Sequence, residues 1–200
     1  MNDYLKKDYA LLTSLTISVI TSCILLLLMI TFSIIPVKTK EISMLITLTL
    51  PTIISLYLLP KSLSKFLIKN KNISIKEIIF TITFLLVFSI IYGLLFLNKF
   101  DSLSMMIIII LHYSIVSLGE EYTYRTLILD VLKQKYKVWI SIAISALLFS
   151  FILHINEDIL INLLIRFPIG LILGYISNKT NTIMYSIILH TIYNLMIFIY

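Results

Sequence analysis

Seven apolar runs, each about the length a helix needs to cross a bilayer, take up nearly all of a 200-residue chain. They cover roughly residues 10–35, 42–60, 77–97, 103–132, 137–155, 158–176 and 182–200. With 60% hydrophobic and 13% charged residues, the chain carries more apolar surface than a water-soluble domain can bury. The segments between the runs are short, as in "PVKTKE", "LNKFDS", "HINED" and "SNKTN". Only "KSLSKFLIKNKNISIKE" (61–77) has the length for a surface helix. The expected fold is therefore all-α, a polytopic transmembrane helical bundle of about seven spans, with little chain left for a soluble domain.

The first run is too long for a signal-peptide core and lacks a small-residue cleavage site, so it reads as a span. "ITSC" before Ile24 faintly resembles a lipoprotein cleavage box, but the apolar run continues past Cys23 and favours a plain span. A single cysteine excludes an internal disulfide. The net charge of +6 comes from lysines in loops beside apolar runs, which suits membrane topology and not nucleic acid. With the N-terminus inside, the cytoplasmic segments hold Lys6, Lys7, Lys61, Lys65, Lys69, Lys71, Lys76, Lys133, Lys135, Lys137 and Lys179. Only Lys38, Lys40 and Lys99 fall outside. That asymmetry predicts a multi-pass protein of the cell membrane with a cytoplasmic N-terminus.

Ionisable groups inside apolar spans are expensive and so point to cavities, pairing or chemistry. "LGEEYTYRTLI" (118–128) puts Glu120, Glu121 and Arg125 into the fourth run; His154 ends the fifth, Arg166 lies in the sixth, and His190 and Asn194 lie in the seventh. Measured from the "KQKYK" turn along two antiparallel helices, Glu120 and His154 lie roughly 20 and 25 Å deep. From Asn181, His190 and Asn194 lie roughly 13 and 20 Å along the last helix. The four fall within about one or two helical turns of a common layer. A spacing of four puts His190 and Asn194 on one helix face, as it does Glu121 and Arg125, whereas Glu120 points about 100° away from Glu121.

A carboxylate, two imidazoles and a carboxamide at one level suit hydrolysis of a carbonyl compound. Glutamate takes a proton from water, with an imidazole assisting, while imidazole and amide donors stabilise an oxyanion. No serine or cysteine nucleophile with a base is evident, and neither H-E-x-x-H nor G-x-S-x-G occurs.

At these residues the chain resembles the CPBP family of intramembrane proteases, also called Abi or CAAX-protease-like proteins. "EEYTYR" is similar to its E-E-x-x-x-R motif, "ISALLFSFILHIN" to its F-x-x-x-H region and "HTIYN" to its H-x-x-x-N motif. The resemblance spans roughly residues 103–198 and implies a CPBP/Abi-like catalytic core in 101–200, integrated with three N-terminal spans in 1–100 into a single domain. One departure stands out. Where the family has Phe four residues before the second-motif histidine, this chain has Ser150, with Phe149 five and Phe151 three residues before His154.

The resemblance implies that Glu120 activates water with help from His154, that His190 and Asn194 stabilise the oxyanion, and that Glu121 and Arg125 brace the first motif. It further implies a peptide or protein substrate at the lipid bilayer, with no nucleic acid. Family members include proteases that cut after a prenylated cysteine and bacterial relatives linked to bacteriocin maturation, self-immunity or peptide-signal processing. The competing classes are a non-catalytic bacteriocin self-immunity or scaffold protein and, more distantly, a proton-coupled transporter.

No cofactor is expected. A zinc site on Glu120, His154 and His190 is the alternative, opposed by the lack of an assignable acceptor orienting either histidine. Each residue also has a plainer reading. Glu121 and Arg125 can form an inert salt bridge, Glu120 can be structural, His154 interfacial, and His190 and Asn194 interhelical glue. Elsewhere, packing or a polar contact is expected of His112, and pairing with Glu157 or Asp158, or snorkelling, of Arg166. Gly170 and Gly174 form a G-x-x-x-G predicting a close helix contact.

Overall fold

The computed structural model describes residues 3–68 and 74–199, with side chains from residue 8 onward. These residues form seven helices and no strand. They are α1 (Asp3–Ser33), α2 (Lys40–Leu67), α3 (Ile75–Lys99), α4 (Leu103–Lys133), α5 (Val138–Leu153), α6 (Ile159–Thr180) and α7 (Met184–Ile199). Among the described residues, five are long and apolar enough to cross a membrane, and α5 and α7 are shorter apolar helices. The 16 residues of α7 reach about 24 Å. This is a multi-pass helical membrane protein.

The connection 61–77, long enough for a surface helix, is divided between two spans among its described residues. Residues 61–67 are the last turns of α2, and α3 begins at Ile75, where Ser74 caps it in a capping box with Glu77. Residues 69–73, with Lys69 and Lys71, lie outside the described residues, as do the side chains of Lys6 and Lys7. What joins 61–67 to the preceding span is the way α2 absorbs its prolines.

A proline inside a helix removes an N–H and crowds the carbonyl four residues back. In α2 and α6 each interior proline follows a stretch of wider, π-helical turns: Leu45–Thr49 before Pro51, Ile53–Leu58 before Pro60 and Asn162–Arg166 before Pro168. The widening lets the helix pass the ring without ending. It also frees acceptors. Pro60 cannot donate to the carbonyl of Leu56, and the hydroxyl of Thr123 on α4 donates to that oxygen instead, at 2.6 Å.

α4 is the central helix. Its Tyr124, Leu127, Ile128, Val131 and Leu132 pack with Ala10 and Ile17 of α1 and with Leu148 and Phe149 of α5. Its Met106, Ile109 and Ile110 pack with Tyr92 of α3 and Leu195 of α7. α1 meets this core with a buried face of small polar residues, Ser14, Ser18, Thr21 and Ser22, the kind that lets helices approach closely in lipid. Ser18 is hydrogen-bonded to the Tyr124 hydroxyl at 2.9 Å. The opposite face of α1 and most of α3 expose large apolar side chains, as a lipid-facing surface does.

α6 lies against α5 through the expected glycine pair. A Cβ on Gly170 would sit 3.1 Å from that of Ala146, and one on Gly174 would sit 3.0 Å from Ile142. Asn181, with φ 56°, takes the left-handed conformation that ends α6 and turns the chain into α7. Polar contacts fasten the two ends of the bundle. At the lysine-rich end, Lys133 donates to Asn178 at 3.3 Å and Gln134 to the Leu67 carbonyl at 2.8 Å. At the other end, Lys40 pairs with Asp101 at 2.8 Å and Ser104 donates to Glu41 at 3.0 Å.

Candidate active site

The two glutamates sit where α4 changes its winding. Ser102 caps the helix, regular α-helix runs to Glu121, and π-helical turns follow over Tyr122–Ile128. Gly119, immediately before them, lets α2 close in, since a Cβ there would lie 3.0 Å from that of Leu56. With the Thr123–Leu56 bond this fixes the height of Glu120 and Glu121 against α2. Glu120, Glu121, Arg125 and His190 are only 6, 0, 1 and 2% exposed.

His190 on α7 reaches both carboxylates. Its Nδ1 lies 2.9 Å from Oε1 of Glu121, and its Nε2 lies 3.3 Å from Oε2 of Glu120. The other oxygen of Glu121 is 3.5 Å from Nε of Arg125. Arg125 donates through Nη1 to Ser145 of α5 at 3.2 Å, and Ser145 donates to the Tyr124 carbonyl at 2.7 Å. Glu121 therefore does more than brace Arg125, because it also holds the imidazole of His190. It supplies the orienting acceptor that could not be assigned from the sequence, which removes one objection to a metal site.

The proton count in this cluster is constrained. If Nδ1–H is donated to Glu121, a neutral His190 presents a lone pair toward Glu120, and two lone pairs cannot comfortably face each other at this distance. A proton on either group, the carboxyl or Nε2, relieves that conflict, and at 3.3 Å the two buried groups are close enough to exchange one.

His154 stands apart from that pair. α5 widens into π-helical turns over Leu148–Leu153, and His154, with φ −103° and ψ 37°, is the first residue out of the helix. Among the described residues no hydrogen bond joins its imidazole to Glu120 or His190. Phe149 lies between the two histidines instead, edge-on to both, with ring centroids 5.3 Å from His154 and 5.6 Å from His190. The Arg125 guanidinium carbon lies 5.0 Å from the same ring centroid.

The geometry explains the departure from the family pattern. In π-helical turns the residue stacked beneath a side chain is five back and not four. Phe149 therefore occupies the place beside His154 that a phenylalanine four residues back would take on an ordinary helix, and Ser150 turns away to bond the Ala146 carbonyl at 2.9 Å. Gly170 leaves room for the ring, as a Cβ there would meet Phe149 at 3.3 Å.

Asn194 is half-buried one turn beyond His190 and donates to Ser117 of α4 at 3.3 Å, one turn before Glu121. Tyr92 of α3 donates to the adjacent Leu195 carbonyl at 2.8 Å and holds that turn of α7. Among the described residues no three His, Cys, Asp or Glu side chains converge as metal donors, so His154 does not close a set with Glu120 and His190. Outside the cluster, His112 bonds Thr49 through Nδ1 at 3.0 Å, and Arg166 pairs with Glu157 at 3.7 Å. Two residues passed over in the sequence lie beside the site: Ser145, which receives Arg125, and Asn162, which donates to the His154 carbonyl at 2.9 Å. A serine or an asparagine in a helix carries no sequence signal for either role.

Residues 102–196 match the family model described as "Type II CAAX prenyl endopeptidase Rce1-like". The match starts at the cap of α4 and ends within α7, so it takes in every residue of the cluster and none of α1–α3. No curated protein and no solved structure matches the chain.

Proposed function

Residues 102–196 belong to the CAAX-protease (CPBP) family, and from that membership we propose that the chain is an intramembrane endopeptidase. It hydrolyses a peptide bond in a membrane-associated peptide or protein, such as a CAAX-like tail or the precursor of a bacteriocin or peptide signal. The observation that carries this reading is the buried Glu120–His190 pair, 3.3 Å apart, with His190 held from behind by Glu121. An inert salt bridge needs only Glu121 and Arg125. The second carboxylate, facing the second ring nitrogen, is what a proton-transfer site requires.

In the proposed reaction Glu120 takes a proton from water, and the water oxygen bonds to the scissile carbonyl carbon. The oxyanion accepts hydrogen bonds from His190 and from the amide of Asn194, released from Ser117. On collapse the C–N bond breaks and the proton on Glu120 passes to the leaving amine, giving one new carboxyl and one new amino terminus. His154, beside Phe149, assists by accepting a hydrogen bond from the other hydrogen of that water. Glu121 and Arg125 hold the imidazole and the α4–α5 contact.

The proposed chemistry needs no metal, a reading supported by the separation of His154 from the other two donors. The lysine-rich ends of α2, α4 and α6 support the reading of a cell-membrane protein with a cytoplasmic N-terminus. The test uses the full chain in proteoliposomes with fluorogenic peptides ending in Cys-aliphatic-aliphatic-X, farnesylated and unmodified. Cleavage in ¹⁸O-water should put one ¹⁸O into the new carboxyl terminus and persist after treatment with a membrane-permeant chelator. Loss of cleavage with chelator and recovery with zinc would make Glu120, His154 and His190 ligands. A non-catalytic immunity or scaffold role is the outcome if neither peptide is cut and cells lacking the protein lose resistance but no processed peptide.

A further inference from the structure

His154 has the least support from its own side chain of any residue in the cluster, yet its backbone is fastened twice. Its carbonyl, one of the acceptors a helix leaves unpaired at its C-terminus, receives the Glu157 N–H at 3.0 Å and the Asn162 amide at 2.9 Å. Asn162 is in turn held, because its own oxygen accepts from Nη1 of Arg166 at 2.9 Å. Arg166 also reaches back to Glu157 in the same turn, at 3.7 Å.

The local sequence explains how this chain of contacts is set up. Asp158 caps α6 by accepting from the Leu160 and Ile161 N–H groups at 2.7 and 3.2 Å. That cap fixes where the helix starts, and Asn162 then falls in its first turns facing back toward α5. Asn162 is 2% exposed, and a buried amide in a membrane helix is costly unless both its ends are bonded. Here both are.

We propose that Asn162 and Arg166 are positioning residues for His154: Arg166 orients the Asn162 amide, and Asn162 holds the His154 carbonyl so that its imidazole stays against Phe149. The proposal rests on the reading of the site as hydrolytic. It explains why a residue outside the α-helix keeps a defined position without a hydrogen bond from its ring to the other catalytic groups. A displacement of about 1 Å in a catalytic group can lower a rate a hundredfold, so the mooring has the leverage to set turnover without touching substrate.

The experiment has two arms on the full chain in lipid nanodiscs. The isosteric Asn162→Asp variant removes the donor and turns an oxygen toward the His154 carbonyl. With the farnesylated peptide it should lower kcat about ten- to a hundredfold while leaving KM within about threefold. Arg166→Met should lower kcat about tenfold, and Arg166→Lys, which keeps a donor for Asn162, should recover most of that rate. In the second arm, ¹³C-histidine labelling gives one ring signal for each of His112, His154 and His190, the only three histidines. Asn162→Asp should move or broaden the His154 signal alone.

An unchanged kcat in a preparation whose wild type cleaves, or an unmoved His154 signal, overturns the proposal. A shift of all three signals also overturns it, by marking Asn162 as a global packing residue. If the wild type cleaves neither peptide, the hydrolytic reading is in question, while the labelling arm still decides whether Asn162 and Arg166 position His154.

Discussion

The cluster has two arms that are built differently. On the α4–α7 arm, Glu121, Arg125 and His190 are fully buried and held side chain to side chain, with a hydrogen bond onward to Ser145. On the α5–α6 arm, His154 is only partly buried and is held through its backbone carbonyl at the end of a helix. The first arm resembles a core, in which every charge has a partner; the second resembles a hinge, fixed by a turn near the end of the bundle. Removing Glu121 or Arg125 from the first arm should therefore unfold the protein before it slows the reaction, and removing a member of the second should slow it before it unfolds.

The largest stability effect is expected at Arg125. Its replacement by Met leaves Glu121 charged and buried, and breaking a buried pair costs about 3–5 kcal/mol. Glu121→Gln should be nearly as severe because it loosens both Arg125 and His190. In thermal unfolding of detergent-purified protein, the double variant should lose less than the sum of the two, since the groups act on each other directly. Simple addition of the losses would show that Glu121 and Arg125 are not directly coupled, against the description of this arm as held side chain to side chain.

A smaller effect is expected where α6 meets α5. Gly170→Leu must push against Ala146 and Phe149 and should cost about 1–3 kcal/mol, in the range for overpacked cores. Because Phe149 separates the two histidines, the same change should lower kcat. Phe149→Leu should do so too, while Phe151→Leu, outside that contact, should leave activity near wild type. Equal losses at the two phenylalanines would remove the π-helical explanation of the motif shift.

The smallest effect belongs to the exposed pair Lys40–Asp101. The Lys40 ammonium holds the Asp101 carboxyl below its ordinary value, so whatever the pair contributes is present above the usual carboxylate range and lost only as pH falls through that lowered value. Exposed pairs contribute little, and Asp101→Asn should not change the melting temperature measurably between pH 6 and 8.

Much of the bundle could be read from the sequence because the bilayer fixes span length and because buried charges in lipid are rare enough to stand out. The meeting of Glu120 with His190 follows from their depth along the helices. What could not be read depends on winding. Periodicity assumes 3.6 residues per turn, and the π-helical turns before Pro60, after Glu121 and before His154 each shift the register. Pro60 makes the first of these turns intelligible, and with it the run of α2 through 61–67, which sequence reasoning left in the connection after the second span. No proline marks the turns after Glu121 or before His154. The placement of Phe149, the carbonyl role of Asn162 and the hold of Glu121 on His190 are all tertiary facts that no local pattern encodes.

The central claim is that Glu120 is the base while Glu121 is the brace, although they are neighbours on one helix. The most direct measurement compares Glu120→Gln with Glu121→Gln for both peptide cleavage and melting temperature in the same proteoliposome preparation. Glu120→Gln should lose cleavage by about a hundred- to ten-thousandfold, the usual share of general-base catalysis, with its melting temperature close to wild type. Glu121→Gln should lower the melting temperature sharply. Cleavage that survives in Glu120→Gln, or a collapse of stability there equal to that of Glu121→Gln, would contradict the account.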